Sequence, residues 1–190
     1  MLQEKRVAVF ASGEGTNAEN LIRYFEHHPV IKIVCVITDN PEAGVIEKAR
    51  KLRVKSVIFS KADFRSGEPL IQCLDQFKIT WIVLAGFLSL VPEVIIRAFE
   101  KRIVNIHPAL LPEFGGKGMY GMKVHESVCR SGKKKSGITI HYVNNRYDEG
   151  EIIFQQKINL EAGETPVSLS KKIRKIELES YPAVIESVID

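Results

Sequence analysis

This chain carries the pattern of an α/β protein: a single-domain, Rossmann-like, mostly parallel sheet with an antiparallel edge hairpin and a long C-terminal helix. Three features support that expectation. Apolar, β-branched runs alternate with amphipathic stretches up to residue 107. Two later apolar runs, 136–144 and 151–160, stand too close together for a helical crossover. From Thr165 onward the chain holds one long helical pattern.

The elements follow in order. "RVAVFAS" (6–12) is a short apolar run stopping at Gly13, as a buried strand does. Residues 17–28 place Leu21, Ile22 and Phe25 at helical spacing. "KIVCVIT" (32–38) is a second strand, and "PEAGVIEKARKL" (41–52) opens on Pro and acidic residues, as a helix should. "KSVIF" (55–59) is the third strand, residues 67–77 a helix with Leu70, Ile71, Leu74 and Phe77 on one face, and "TWIVLAG" (80–86) the fourth strand. Pro92 opens a helix through Phe99, and "RIVNIH" (102–107) is the fifth strand. Continuous apolar strands alternating with helices make a parallel sheet covered on both faces, with right-handed crossovers.

The rhythm then changes. "PALLPEFGGKGMYG" (108–121) is a Pro- and Gly-rich loop, 121–131 a helix, and "SGITIHYVN" with "EIIFQQKINL" the edge hairpin. Thr165 is the expected N-cap of the last helix, with Pro166 first and a bend or restart expected at Pro182.

Composition narrows the function. A length of 190 residues, 45% hydrophobic and 26% charged, suits one globular domain, 1–190. Cys35, Cys73 and Cys129 are widely spaced, odd in number and free of metal-ligand spacing. They read as reduced thiols of a cytoplasmic protein, and no metal is expected. No apolar run reaches the length of a signal peptide or a membrane span. A net charge of +4 is too mild to argue for nucleic acid and suits an anionic small molecule.

Three stretches carry chemistry. "ASGEGTNA" (11–18) turns the first strand into the first helix. Its glycines permit a tight turn, and the free N–H groups of a first helical turn attract an anion. Read as GxGxxA it is instead a dinucleotide fingerprint, with Asp39 as the ribose acid of an oxidoreductase or sensor. Read plainly, it is a turn capped by Thr16 or Asn17. The second stretch is "NIHPALLP" (105–112). Asn105 and His107, two apart at a strand end, point to one side. An imidazole there lies where parallel sheets place their ligands, and an amide beside it suits a carbonyl oxygen turning negative. The plain reading is a strand end whose Asn and His bond only the next turn. The third is "NNRYDEGEII" (144–153), where Asp148 sits in the hairpin connection. A loop acid followed by Gly is ordinarily a turn, but one within reach of His107 would raise its pKa and orient it.

Other residues divide evenly. His141 faces the same cleft or packs. "AGFLSLVP" (85–92) lines a pocket for a flat heterocycle or is core. His125 reads as structural, His27 and His28 as solvated, and "KKIRK" (171–175) as a solvated face from which Arg174 reaches a phosphate.

"SGEGTN", "LAGFLSLVP", "NIHPALLP" and "GITIHYVNNRYDEG", in that order and spacing, resemble the phosphoribosylglycinamide formyltransferases, the folate-dependent transformylases of purine synthesis. The resemblance implies transfer of a formyl group from 10-formyltetrahydrofolate, as cosubstrate, to the amine of 5′-phosphoribosylglycinamide. It implies His107 as proton donor, Asn105 as donor to the formyl oxygen, and Asp148 holding His107 protonated. Gly15, Thr16 and Asn17 would bind the 5′-phosphate, and Glu177 and Arg174 the rest of the sugar phosphate. Leu88, Leu90 and Val91, with Asn105 and the backbone of Asn144, Asn145, Arg146 and Tyr147, would hold the pteridine; Arg65 would contact the folate. The chain departs from the family's pattern in three places. "LSLV" stands where Met-Arg-Ile-Leu is common, so Ser89 replaces an Arg. The Gly-rich loop is longer, suggesting a flap, and "DEG" stands for "DGG". Related hydrolases carry an extra N-terminal domain and transfer-RNA formyltransferases an extra C-terminal one; neither pattern is expected here. The expected partners are small molecules, not nucleic acid or membrane, in a monomer or homodimer.

Overall fold

The computed structural model describes residues 3–189. Five strands run parallel: β1 (Lys5–Phe10), β2 (Ile31–Thr38), β3 (Lys55–Ile58), β4 (Trp81–Leu84) and β5 (Ile103–His107). β6 (Lys135–Tyr142) is antiparallel both to β5 and to β7 (Ile152–Asn159). The sheet order is β3-β2-β1-β4-β5-β6-β7. The chain therefore winds outward from β1 to β3 and then returns to the other side of β1. That reversal leaves a crevice at the carboxyl ends of β1 and β4, where open α/β sheets bind ligands.

The helices are α1 (Thr16–Tyr24), α2 (Gly44–Lys51), α3 (Lys61–Ser66), α4 (Glu68–Gln76), α5 (Glu93–Ala98), α6 (Met122–Arg130) and α7 (Pro166–Ile189). They divide between two faces as strand alternation dictates. Val7, Val9 and Ala11 join a core with Leu21, Val45, Val124 and Ile173, from α1, α2, α6 and α7. Ala8 and Phe10 join a second core with Phe64, Leu70 and Ile95, from α3, α4 and α5. Both faces are covered, which is why the parallel strands read as unbroken apolar runs. Among the described residues, no helix is long and apolar enough to cross a membrane.

Local differences from the sequence reading have physical causes. Residues 61–66 form α3, a helix not anticipated, started by a capping box in which Ser60 and Asp63 satisfy each other's backbone N–H. Pro41 does not open α2. Asn40 Oδ1 accepts from Glu42 N–H at 3.0 Å, closing an Asx turn, and the helix begins at Gly44. α7 runs unbroken through Pro182. The ring has no N–H for the carbonyl of Leu178, and Asn20 Nδ2 of α1 donates to that carbonyl at 2.7 Å instead. The Tyr181 ring is fully buried and its hydroxyl donates to Leu84 O at 2.8 Å, fixing α7 over β4.

Candidate active site

β5 delivers Asn105 and His107 to the carboxyl edge of the sheet, with Ile106 turned between them. The antiparallel ladder sets Asn105 opposite His141 and His107 opposite Thr139. The loop after β5 is pinned to that ladder. Thr139 Oγ1 donates to Ala109 O at 2.7 Å and accepts from Leu111 N–H at 3.0 Å, while Gln155 Nε2 donates to Leu111 O at 2.9 Å. Asp148 enters from the β6–β7 connection with φ 57. Gly150 lets the chain return, since a Cβ there would lie 1.6 Å from Tyr142 O.

These groups converge. Asp148 Oδ2 lies 3.5 Å from His107 Nδ1, and its Oδ1 lies 3.7 Å from His141 Nε2. Gly116 N–H donates to Asp148 Oδ2 at 2.9 Å. His107 Nε2 stands 2.8 Å from Phe114 O, and His141 Nδ1 2.8 Å from Tyr142 O. A carbonyl only accepts, so both of those ring nitrogens carry hydrogen. His141 Nε2, 3.1 Å from Asn105 Nδ2, then holds a lone pair and receives one amide hydrogen.

Burial depresses the His107 pKa more than the Asp148 charge and the Phe114 carbonyl raise it. Burial also opposes ionisation of Asp148. The nearby imidazoles of His141 and His107, with the Gly116 amide, nevertheless hold its carboxyl below the usual range. Burial thus weighs against the expected protonated His107, while the carboxyl beside it is held toward its ionised form.

A cavity of about 640 Å³ opens in front of this cluster, lined among others by Asn105, His107, Asp148, Asn17, Arg174 and Glu177. Asn17 Nδ2 donates to Glu177 Oε2 at 3.1 Å, while Asn17 Oδ1 is buried with no partner among the described residues. Burial raises the Glu177 carboxyl to about 7, against the pull of Asn17 and Arg174. Gly15 and Thr16 directly precede Asn17 as the cap and first residue of α1. The cap is Gly15, with φ 71, rather than Thr16 or Asn17, and a Cβ at Gly15 would lie 2.4 Å from Val45 Cγ2.

A smaller space of about 50 Å³ is lined by Ser89, Leu90, Val91, Asn105, Asn144, Arg146 and Tyr147, with His141 and Asp148. Leu88 lines the larger cavity. Asn145 is exposed and lines neither, and Arg65 is exposed on α3, away from both linings. Among the described residues, no group of His, Cys, Asp and Glu is arranged to hold a metal.

Two groups at the site were not singled out by sequence, the Phe114 carbonyl and the Gly116 amide, and His125 was read as structural. His125 lines the larger cavity, and burial, then His107 and Arg174, push its pKa down to about 4. His141, left even by the sequence, belongs to the cluster. Its signal was its alternation on β6, but the partner it meets depends on the β5–β6 register. Asp39 does not face an open nucleotide site, because both carboxylate oxygens accept from serine hydroxyls, Ser12 and Ser89.

The formyl transferase family model matches residues 5–185. The chain is 38% identical to the chloroplastic phosphoribosylglycinamide formyltransferase of Arabidopsis thaliana over 99% of its own length and 66% of that protein. It thus spans just under two thirds of that relative. It is 33% identical to the phosphoribosylglycinamide formyltransferase of Bacillus subtilis over 97% of this chain and 95% of that one. The solved glycinamide ribonucleotide transformylase 1 of Geobacillus kaustophilus superposes with a TM-score of 0.89 at 33% identity, covering 99% of this chain and 100% of that one. Sequence and fold agree over nearly the whole length: the chain belongs to the formyl transferase family.

Proposed function

We propose that this protein transfers the formyl group of 10-formyltetrahydrofolate to the amine of 5′-phosphoribosylglycinamide, as one formyltransferase domain acting in purine biosynthesis. The observation that carries the reading is the convergence of Asn105, His107 and Asp148 on one cavity at the carboxyl edge of the parallel strands. Similarity to relatives named for this activity supports it.

The amine attacks the formyl carbon, and negative charge develops on the formyl oxygen. Asn105 has one Nδ2 hydrogen on His141 and a second for that oxygen, a donor worth about 3 kcal/mol when aimed at an oxyanion. The amine must lose a proton and the departing folate nitrogen must gain one, so no net proton is needed. Neutral His107 holds that proton at Nδ1, where ionised Asp148 stabilises the imidazolium. The Phe114 carbonyl fixes the tautomer that leaves Nδ1 free for this task.

The first turn of α1, with Gly15, Thr16 and Asn17, takes the 5′-phosphate, and Glu177 and Arg174 take the sugar phosphate from α7. The small space between the Leu88–Val91 segment and 144–147 takes the pteridine. The protein works in the cytoplasm on small molecules alone, as a monomer or homodimer, without nucleic acid. Formyl transfer between the two named substrates, followed spectroscopically, tests the reading. Turnover lost in His107→Asn supports it, and an inactive wild-type chain in that assay refutes it.

A further inference from the structure

Asp39 directly follows β2, the strand beside β1, and links two loops from other strands. Its Oδ1 accepts from Ser12 Oγ at 2.7 Å, and its Oδ2 accepts from Ser89 Oγ. Ser12 Oγ in turn accepts from Leu88 N–H at 3.1 Å. Ser12 follows β1, Asp39 follows β2 and Ser89 follows β4. One carboxylate thus gathers three strand ends.

The two linked loops depend on it unequally. The Ser12 side has further bonds: Ser12 N–H to Gly86 O at 3.0 Å, Asn40 Nδ2 to Ser12 O at 3.2 Å, and Val45 N–H to Gly13 O at 3.1 Å. The segment 87–91 makes no backbone–backbone hydrogen bond among the described residues. Phe87 packs on Phe10 and Phe64, and Val91 is buried, so packing holds the segment at its two ends. Between them Leu88 and Leu90 are exposed, and the middle is held by Leu88 N–H on Ser12 and Ser89 Oγ on Asp39. A carboxylate suits this place because it accepts from both hydroxyls at once, and hydrogen bonds to an ionised acceptor are the stronger ones.

We infer that Asp39 is a positioning residue for the folate: through Ser89 it holds the Ser89–Val91 wall of the pteridine space against the Ser12 loop. The inference rests on the proposed formyl-transfer reading, in which that wall meets the folate. It also gives Ser89 a definite task, since its hydroxyl turns inward to Asp39.

The test is steady-state formyl transfer by the full chain and by Asp39→Ala, Ser89→Ala, their double variant and Ser89→Thr. Each substrate is varied separately, and tetrahydrofolate binding is measured by calorimetry. Asp39→Ala is expected to raise the folate KM and the tetrahydrofolate Kd about tenfold, the scale of one charge-assisted hydrogen bond. The amine KM and kcat stay within about twofold, because the Ser12 loop keeps its other bonds. Ser89→Ala matches Asp39→Ala, the double variant is no worse than either, and Ser89→Thr, which keeps the hydroxyl, reverses most of the rise in folate KM seen in Ser89→Ala. A folate KM unchanged in Asp39→Ala, or losses that add in the double variant, overturns the inference. If Asp39→Ala does not fold, Ser89→Ala at its partly exposed position decides alone, by the same folate KM. A wild-type chain that neither turns over nor binds tetrahydrofolate overturns the underlying reading instead.

Discussion

Asn105 and His141 meet across the β5–β6 ladder, amide Nδ2 to imidazole Nε2 at 3.1 Å. The Tyr142 carbonyl settles the tautomer of His141, and that tautomer settles which way the Asn105 amide points. A backbone acceptor two bonds removed from the chemistry thereby aims the donor of an oxyanion site. His141→Phe keeps a flat ring and removes the acceptor. It is expected to lower kcat about tenfold or more with a smaller change in KM, because a misdirected donor is felt chiefly in the transition state. Steady-state kinetics decide, and an unchanged kcat would detach His141 from the site.

His107→Asn and Asp148→Asn remove the proton carrier and the charge that stabilises it. Each is expected to cut kcat by about 10²- to 10⁴-fold, the range of general acid–base catalysis. Both side chains are largely buried at the cavity wall, so thermal melts must first show each variant folded before kcat is compared. A variant with wild-type kcat would show that the proton moves by another route.

Opposite pH dependences are built into the cavity wall. His107 and His125 have folded pKa values below 6.5, so the unfolded chain binds more protons as the pH drops. Their contribution to stability is complete above 6.5 and is lost as the pH falls through the lowered folded values, about 4 for His125. Glu177 has the reverse sign. Its carboxyl is raised from 4.5 to about 7, so its contribution is present below 4.5 and is lost as the pH rises through about 7. Glu177→Gln is therefore expected to unfold at a higher temperature than the parent at pH 8, with the gap narrowing toward pH 5. Calorimetric melts across that range check it, and a gap independent of pH would mean that Glu177 titrates as an exposed carboxylate.

Asn20 serves the Leu178 carbonyl that Pro182 leaves without an N–H. Asn20→Ala removes that bond and should cost about 1–2 kcal/mol, or roughly 2–8 °C in Tm for a domain this size. Asn20→Ala combined with Pro182→Ala restores a backbone donor for the carbonyl and should recover part of the loss. A melting temperature unmoved by Asn20→Ala would show that the carbonyl needs no partner.

The order of strands and helices was legible because it rests on local pattern. Strands buried on both faces must be continuously apolar, as "RVAVFAS" and "KIVCVIT" are, and Thr165-Pro166 marks a helix start whatever surrounds it. The strand-end pair Asn105 and His107 was legible too, since residues two apart on a strand share a side in any sheet. What stayed hidden depends on segments far apart in the chain. His141 joins Asn105 across 36 positions through an antiparallel register that no local signal specifies. Asp39 looked like a ribose acid until Ser12 and Ser89, 27 and 50 positions away, took its oxygens. The His107 pKa is lowered rather than raised because burial, a product of the whole fold, outweighs one nearby carboxylate. Residue types and their periods thus specify the architecture and nominate the chemistry. Register, burial and protonation arise only when packing brings distant segments together, and these decide how the nominated residues act.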